Sequence, residues 1–213
     1  STGKTTLVNG LFSYDLLTPK AKPSSGTVVH FKLTDQETPE YYVVNKDASL
    51  DDIDHEIFEK LAERPDENTL RLTAYVKPND SSLYGLNVFD TPGYNALIVE
   101  HEEALKEFIP NSDVLIFVCR YKTGFNQVDQ DLFEVVRECI PDKDIPIILA
   151  INGVPSGTNI TNGRIKEIIH NAEDSLHQTV NTVLIDEVDK KRNPGVRPNT
   201  MALWHKVNTI IQD

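Results

Sequence analysis

Two apolar runs constrain the fold of this chain more than anything else in it. Asp113–Cys119 and Ile145–Ile151 are almost free of polar residues. Strands covered on both faces read this way, and such strands belong to parallel sheets. Shorter β-branched runs at Val28–Leu33, Tyr41–Val44, Leu70–Val76, Gly85–Phe89 and Thr182–Ile185 predict further strands. Helical spacing of apolar residues predicts helices over Thr5–Phe12, Leu50–Ala62, Val99–Phe108, Val128–Ile140, Arg164–Val180 and Met201–Ile211. Strands alternating with helices specify a layered α/β fold with a mainly parallel sheet. Residues 34–84 break the alternation, with four strands and one helix in the stretch from Val28 to Phe89. They predict an antiparallel extension on one sheet edge.

Composition excludes several functions. The 213 residues carry a net charge of −12, and a sequence pI near 4.9 argues against a nucleic-acid partner. No apolar run approaches the ~20 residues that span a bilayer. Two cysteines, Cys119 and Cys139, suit a reduced cytoplasmic protein better than a disulfide framework. His101, His170 and His177 have no cysteine or carboxylate framework that implies zinc. The acidic group Asp51, Asp52, Asp54 and Glu56 with His55 reads as a helix start, with negative charge at the positive end.

The chain opens Ser1-Thr2-Gly3-Lys4-Thr5-Thr6. This is the second half of a G-x-x-x-x-G-K-[ST] phosphate loop that runs into a helix. The loop's first glycine would stand at position −2, with a strand before it. The expectation is therefore a chain that begins inside the loop. Backbone N–H groups around Gly3 can face phosphate oxygens. Lys4 supplies a cation for the outer phosphates, and the Thr5 hydroxyl supplies a Mg²⁺ ligand. Taken alone, the pattern also fits an ordinary chain terminus. The second motif, Asp90-Thr91-Pro92-Gly93 after Leu86-Asn87-Val88-Phe89, decides between them. An aspartate at the end of a buried strand can hold Mg²⁺ through water. Gly93, without a side chain, lets its N–H approach a γ-phosphate.

These motifs resemble the G1 and G3 elements of GTPases. The surrounding text, Leu83 to Asn95 and Glu100 to Val118, resembles dynamin-like proteins, bacterial ones above all. Asp90 lies 86 residues after Lys4, a spacing similar to that of the enlarged dynamin G domain and longer than in Ras-like GTPases. The resemblance implies a single three-layer P-loop G domain over residues 1–213, with a helical bundle and stalk outside this chain. It implies GTP or GDP as ligand, with ATP as an open alternative, and Mg²⁺-dependent hydrolysis. Nucleotide contacts fall to Ser1, Thr2, Gly3, Lys4, Thr5, Thr6, Gly93 and Asn152, and metal contacts to Thr5, Ser25 and Asp90. Ser1, Lys4 and Ser25 are the catalytic candidates. Ser1 stands where the family coordinates a monovalent cation. Ser25 aligns best with the G2 threonine, with Ser24 and Thr27 as rivals. The family also implies G-domain dimers, membrane remodelling through other domains, and a cytoplasmic protein peripheral to a membrane.

The base element departs from the family pattern Asn/Thr-Lys-x-Asp. Asn152 is in place, but Gly153 replaces the lysine and Pro155 replaces the aspartate that reads guanine. Asp186, Glu187 and Asp189, after the next strand, are candidate substitutes; Asp186 is taken as the nucleotide ligand. Loose base selectivity is expected. A pseudo-GTPase scaffold is the alternative, and an Era-like ribosome-assembly GTPase is disfavoured by the long 34–84 segment and the acidic charge.

Overall fold

Every strand predicted from the sequence forms. The computed structural model describes residues 3–18, 27–91, 105–140, 144–189, 192 and 196–212. They belong to two units, Gly3–His101 and Glu102–Asp213. The first contains α1 (Lys4–Asn9), β1 (Val28–Leu33), β2 (Glu40–Asn45), β3 (Leu50–Ile53), α2 (His55–Glu63), β4 (Thr69–Val76) and β5 (Asn87–Asp90). The second contains β6 (Leu115–Arg120), α3 (Gln127–Cys139), β7 (Ile147–Val154), α4 (Gly163–Leu176), β8 (Asn181–Asp186) and α5 (Met201–Gln212).

The strands of the first unit run in the order β3-β2-β4-β1-β5. β1 and β4 are parallel, while β5 joins β1 antiparallel and β2 and β3 form the antiparallel extension. In the second unit the order is β6-β7-β8, all parallel. The mixed α/β fold with parallel strands and an antiparallel extension is thus as expected. Ile147 to Ile151 are all buried. Ile147, Leu149 and Ile151 share a core with Phe133 and Val136 of α3 and Ile165 and Ile168 of α4. Burial of the intervening Ile148 and Ala150 explains the missing alternation in the sequence.

Three element boundaries need correction. Leu50–Ala62 is not one helix. Leu50–Ile53 is a strand paired with β2, Tyr41 opposite Ile53 and Val44 opposite Leu50. A turn at Asn45–Ser49, closed by Asn45 N to Ser49 O at 2.9 Å, brings it back. Asp51 and Asp52 therefore lie on an edge strand, and only Asp54 and Glu56 serve the helix start. Asp54 is the N-cap, its Oδ1 accepting from Ile57 N at 2.8 Å. α4, expected to reach Val180, stops at Leu176 because His177 turns left-handed, φ 54°. α1 stops at Asn9, short of Phe12. The buried Asn9 amide bonds the backbone of the next segment, Nδ2 to Leu17 O at 2.7 Å and Oδ1 to Leu16 and Leu17 N at 3.2 Å. Of the helix expected at Val99–Phe108, residues 105–108 are helical and 99–104 lie outside the described residues.

His30 ties β1 to β5. Its ring stacks on Phe89 at 4.2 Å between centroids, and Nε2 hydrogen-bonds to Asn87 Oδ1 at 2.8 Å. Burial pushes its pKa below the usual 6.5, against the pull of the Asn87 hydrogen bond, and Arg71 and Lys32 lower it further.

His30 in the unfolded chain binds a proton near pH 6.5 that the folded protein resists, so this group's contribution to stability is full above pH 6.5 and declines as pH falls below it. Urea midpoints of wild type should fall from pH 7.5 to 5, and His30→Gln should flatten that slope; an unchanged slope contradicts a buried, neutral His30. Asp54→Ala should cost about 1 kcal/mol, as loss of an N-cap does, read as a lower urea midpoint at unchanged m-value; no shift would mean that the cap is idle.

Candidate functional site

The phosphate element is built at the start of α1. Gly3 occupies the N-cap position at φ 93°, ψ 18°, a left-handed geometry that residues with side chains rarely adopt. The N–H groups of Lys4, Thr5 and Thr6, in the first turn, have no intrahelical acceptors; Gly3 offers no side chain to cap them, so they can serve an anion. Leu7 N closes the turn on Gly3 O at 3.1 Å. Leu7 and Val8 are buried and anchor the helix, while Lys4, Thr5 and Thr6 stay half-buried.

Asp90 ends β5, opposite Val29 of β1. α1 packs against β5, which brings the two sequence motifs together. Their charges sense each other. Burial pushes the Lys4 ammonium pKa down, and the Asp90 charge opposes this. Burial pushes the Asp90 carboxyl up, and the Lys4 charge opposes that. Burial prevails in both cases. Ser1, Thr2, Ser24, Ser25 and Gly93 lie outside the described residues. Of the alternatives to Ser25, Thr27 has its hydroxyl engaged: Oγ1 donates to Leu70 O at 3.0 Å.

The base element lies in the second unit, at the end of β7. Asn152 pairs with Arg120 of β6 and Ile185 of β8. The register shifts between Asn152 and Val154, and Gly153 forms this bulge at φ 73°. A lysine there would be strained, so the departure from the family pattern is built into the backbone. A side chain at Gly153 would meet nothing within 4 Å.

Among the candidate acids, Glu187 and Asp189 are engaged by cations. Glu187 Oε1 accepts from Lys122 Nζ at 2.8 Å, and its N–H donates to Val154 O at 2.7 Å. Asp189 pairs with Arg192 at 3.5 Å. Asp186 ends β8 exposed, opposite Val154. Two residues beside this element carry no signal in the sequence: Tyr121, whose N–H donates to Asn152 O at 2.9 Å, and Lys122, which pairs with Glu187. Both follow β6 in a turn marked only by Gly124. Among the described residues no helix is long and apolar enough to cross a membrane.

Comparison with known proteins bears on the family and the fold. The family model described as "Dynamin family" matches residues 1–152 and so ends at Asn152. No curated protein matches the chain. The fold is similar to two solved chains from an oligomerised bacterial dynamin pair, for which long-range sensing and tethering of membranes is described. The first gives a TM-score of 0.62 at 12% identity, covering 99% of this chain and 34% of that one. The second gives 0.63 at 12% identity, covering 100% and 32%. The chain thus spans about a third of the length of these relatives. The match over residues 1–152, far more than half of the sequence, assigns the family: this chain belongs to the dynamin family.

Proposed function

We propose that this chain is the nucleotide-binding part of a dynamin-like GTPase, which binds GTP with Mg²⁺ and hydrolyses it. The observation that carries this reading is the meeting of Lys4 and Asp90 at the start of α1 and the end of β5. Burial works against both charges. A triphosphate would relieve the cost on Lys4, and a cation the cost on Asp90. The site therefore favours a ligand that brings both. The hydroxyl of Thr5 and the carboxylate of Asp90 are hard oxygen donors suited to Mg²⁺, with Ser25 as a further oxygen donor. When bound, the ion would neutralise charge on the β- and γ-phosphates. Gly3 and the first N–H groups of α1 would cradle the phosphates with Ser1, Thr2 and Thr6, and Gly93 would contact the γ-phosphate. Ser1 would also hold a monovalent cation. Hydrolysis would be in-line water attack, with Ser25 positioning the water and Lys4 stabilising charge. G-domain dimerisation and membrane remodelling through further domains belong to the same reading, by family membership.

A second reading, a pseudo-GTPase scaffold, is favoured by the bulged Gly153 and by Pro155 in the base element. Nucleotide titration followed by phosphate release separates the two.

Lys4→Ala should abolish GTP binding in isothermal titration on the full-length protein, and unchanged affinity would contradict the phosphate assignment. Asp90→Ala should slow phosphate release about a hundredfold, the usual scale of losing one transition-state contact, while GTP affinity changes only a few-fold. Release at the wild-type rate would remove Asp90 from the site. Base selectivity should be loose. A charge-assisted hydrogen bond contributes about 1.5–3 kcal/mol, and Pro155 provides none. GTP and ATP affinities should then lie within about tenfold of each other, and Asp186→Asn should narrow the gap. A hundredfold preference for GTP that survives Asp186→Asn would overturn this account of the base element.

A further inference from the structure

Arg164 stands in the first turn of α4, which contains no acidic residue. A cation there opposes the helix dipole, so its placement calls for another explanation. Asn162 already caps the helix, accepting from Arg164 N at 2.9 Å and Ile165 N at 3.4 Å. The guanidinium instead reaches the turn after β6. Nε donates to Tyr121 O and Nη2 to Lys122 O, each at 3.5 Å. Glu167 Oε2 holds Nη1 at 2.9 Å. The turn closes on itself through Gly124 N to Arg120 O at 2.8 Å.

Gly124 makes room for this clamp. A Cβ on Gly124 would lie 2.4 Å from Arg164 Nη2, and φ is 66° at that position. The clamped turn in turn holds the base element, because Tyr121 N donates to Asn152 O at 2.9 Å. On the other side of the same turn, Lys122 Nζ meets Glu187, whose N–H holds Val154 O. Arg164 thus braces a turn that is tied to both sides of the Gly153 bulge.

We propose that Arg164 is a positioning residue for the base element: it fixes the Tyr121–Gly124 turn and thereby the end of β7 that presents Asn152. This rests on the reading that Asn152 contacts the nucleobase. The clamp acts on the base-dependent part of affinity and leaves the phosphate-dependent part alone.

The test compares GTP with inorganic tripolyphosphate, which has no base, by titration of the full-length protein. Wild type should bind GTP more tightly than tripolyphosphate. Arg164→Ala should weaken GTP by about fivefold or more, the scale of one lost hydrogen bond, and leave tripolyphosphate unchanged. Arg164→Lys should recover part of the loss. Gly124→Ala, which drives the guanidinium off the turn and strains the left-handed backbone there, should weaken GTP at least as much, and the double variant should be no worse than Gly124→Ala alone. Equal affinity of wild type for the two ligands would overturn the base reading and the clamp with it. A wild-type preference for GTP that persists in Arg164→Ala, equal losses for both ligands, or additive effects in the double variant would overturn the clamp alone.

Discussion

Two opposite charges disfavoured by burial set the character of the first unit. Lys4 and Asp90 come from opposite ends of its sequence and meet because α1 packs on β5. Each attracts the other, and for each the attraction falls short of the cost of burial. Such an arrangement is suited to a ligand that carries negative charge to one partner and positive charge to the other. The surrounding structure holds it in place. His30 links β1 to β5 from within the sheet, Leu7 and Val8 anchor α1 in the core, and Asn9 ends the helix by bonding the following segment.

The second unit is organised around the end of β7. Five consecutive buried residues, Ile147 to Ile151, anchor the strand in the core, and Asn152 follows directly. Beyond it the ladder breaks at Gly153. The lysine and aspartate of the family pattern are absent. The strand end is held instead by neighbouring turns: Tyr121 N on Asn152 O, Glu187 N on Val154 O, and the Lys122–Glu187 ion pair between those turns. The ion pair is exposed and contributes little to stability; its two residues are held through their backbones.

The parts legible in the sequence were those whose causes are local. β6 and β7 were visible because burial on both faces leaves an unbroken apolar run. The phosphate element was visible because its chemistry resides in adjacent residues, Gly3 to Thr5. Leu50–Ile53 was misread because Leu-Asp-Asp-Ile continues the helical spacing of Ile57, Phe58 and Leu61. Only its pairing with β2 makes it a strand, and pairing across a turn leaves no periodicity of its own. The early stop of α4 at His177 was hidden for a similar reason: an αL histidine looks like any other helix residue in the sequence. The Arg164 clamp was illegible because its bonds join residues 43 and 42 positions apart. Gly124 was its only trace.

In the function proposed above, the Gly3–Thr6 turn and Asp90 form one triphosphate and metal site. The most direct measurement is a crystal structure of the full-length protein with a non-hydrolysable GTP analogue and Mg²⁺. The account predicts phosphate oxygens against the Gly3 and first-turn N–H groups, Lys4 Nζ on the outer phosphates, and the Asp90 carboxylate turned to the metal or its water. A nucleotide bound away from Lys4, or one that leaves Asp90 without any link to the metal, would contradict it.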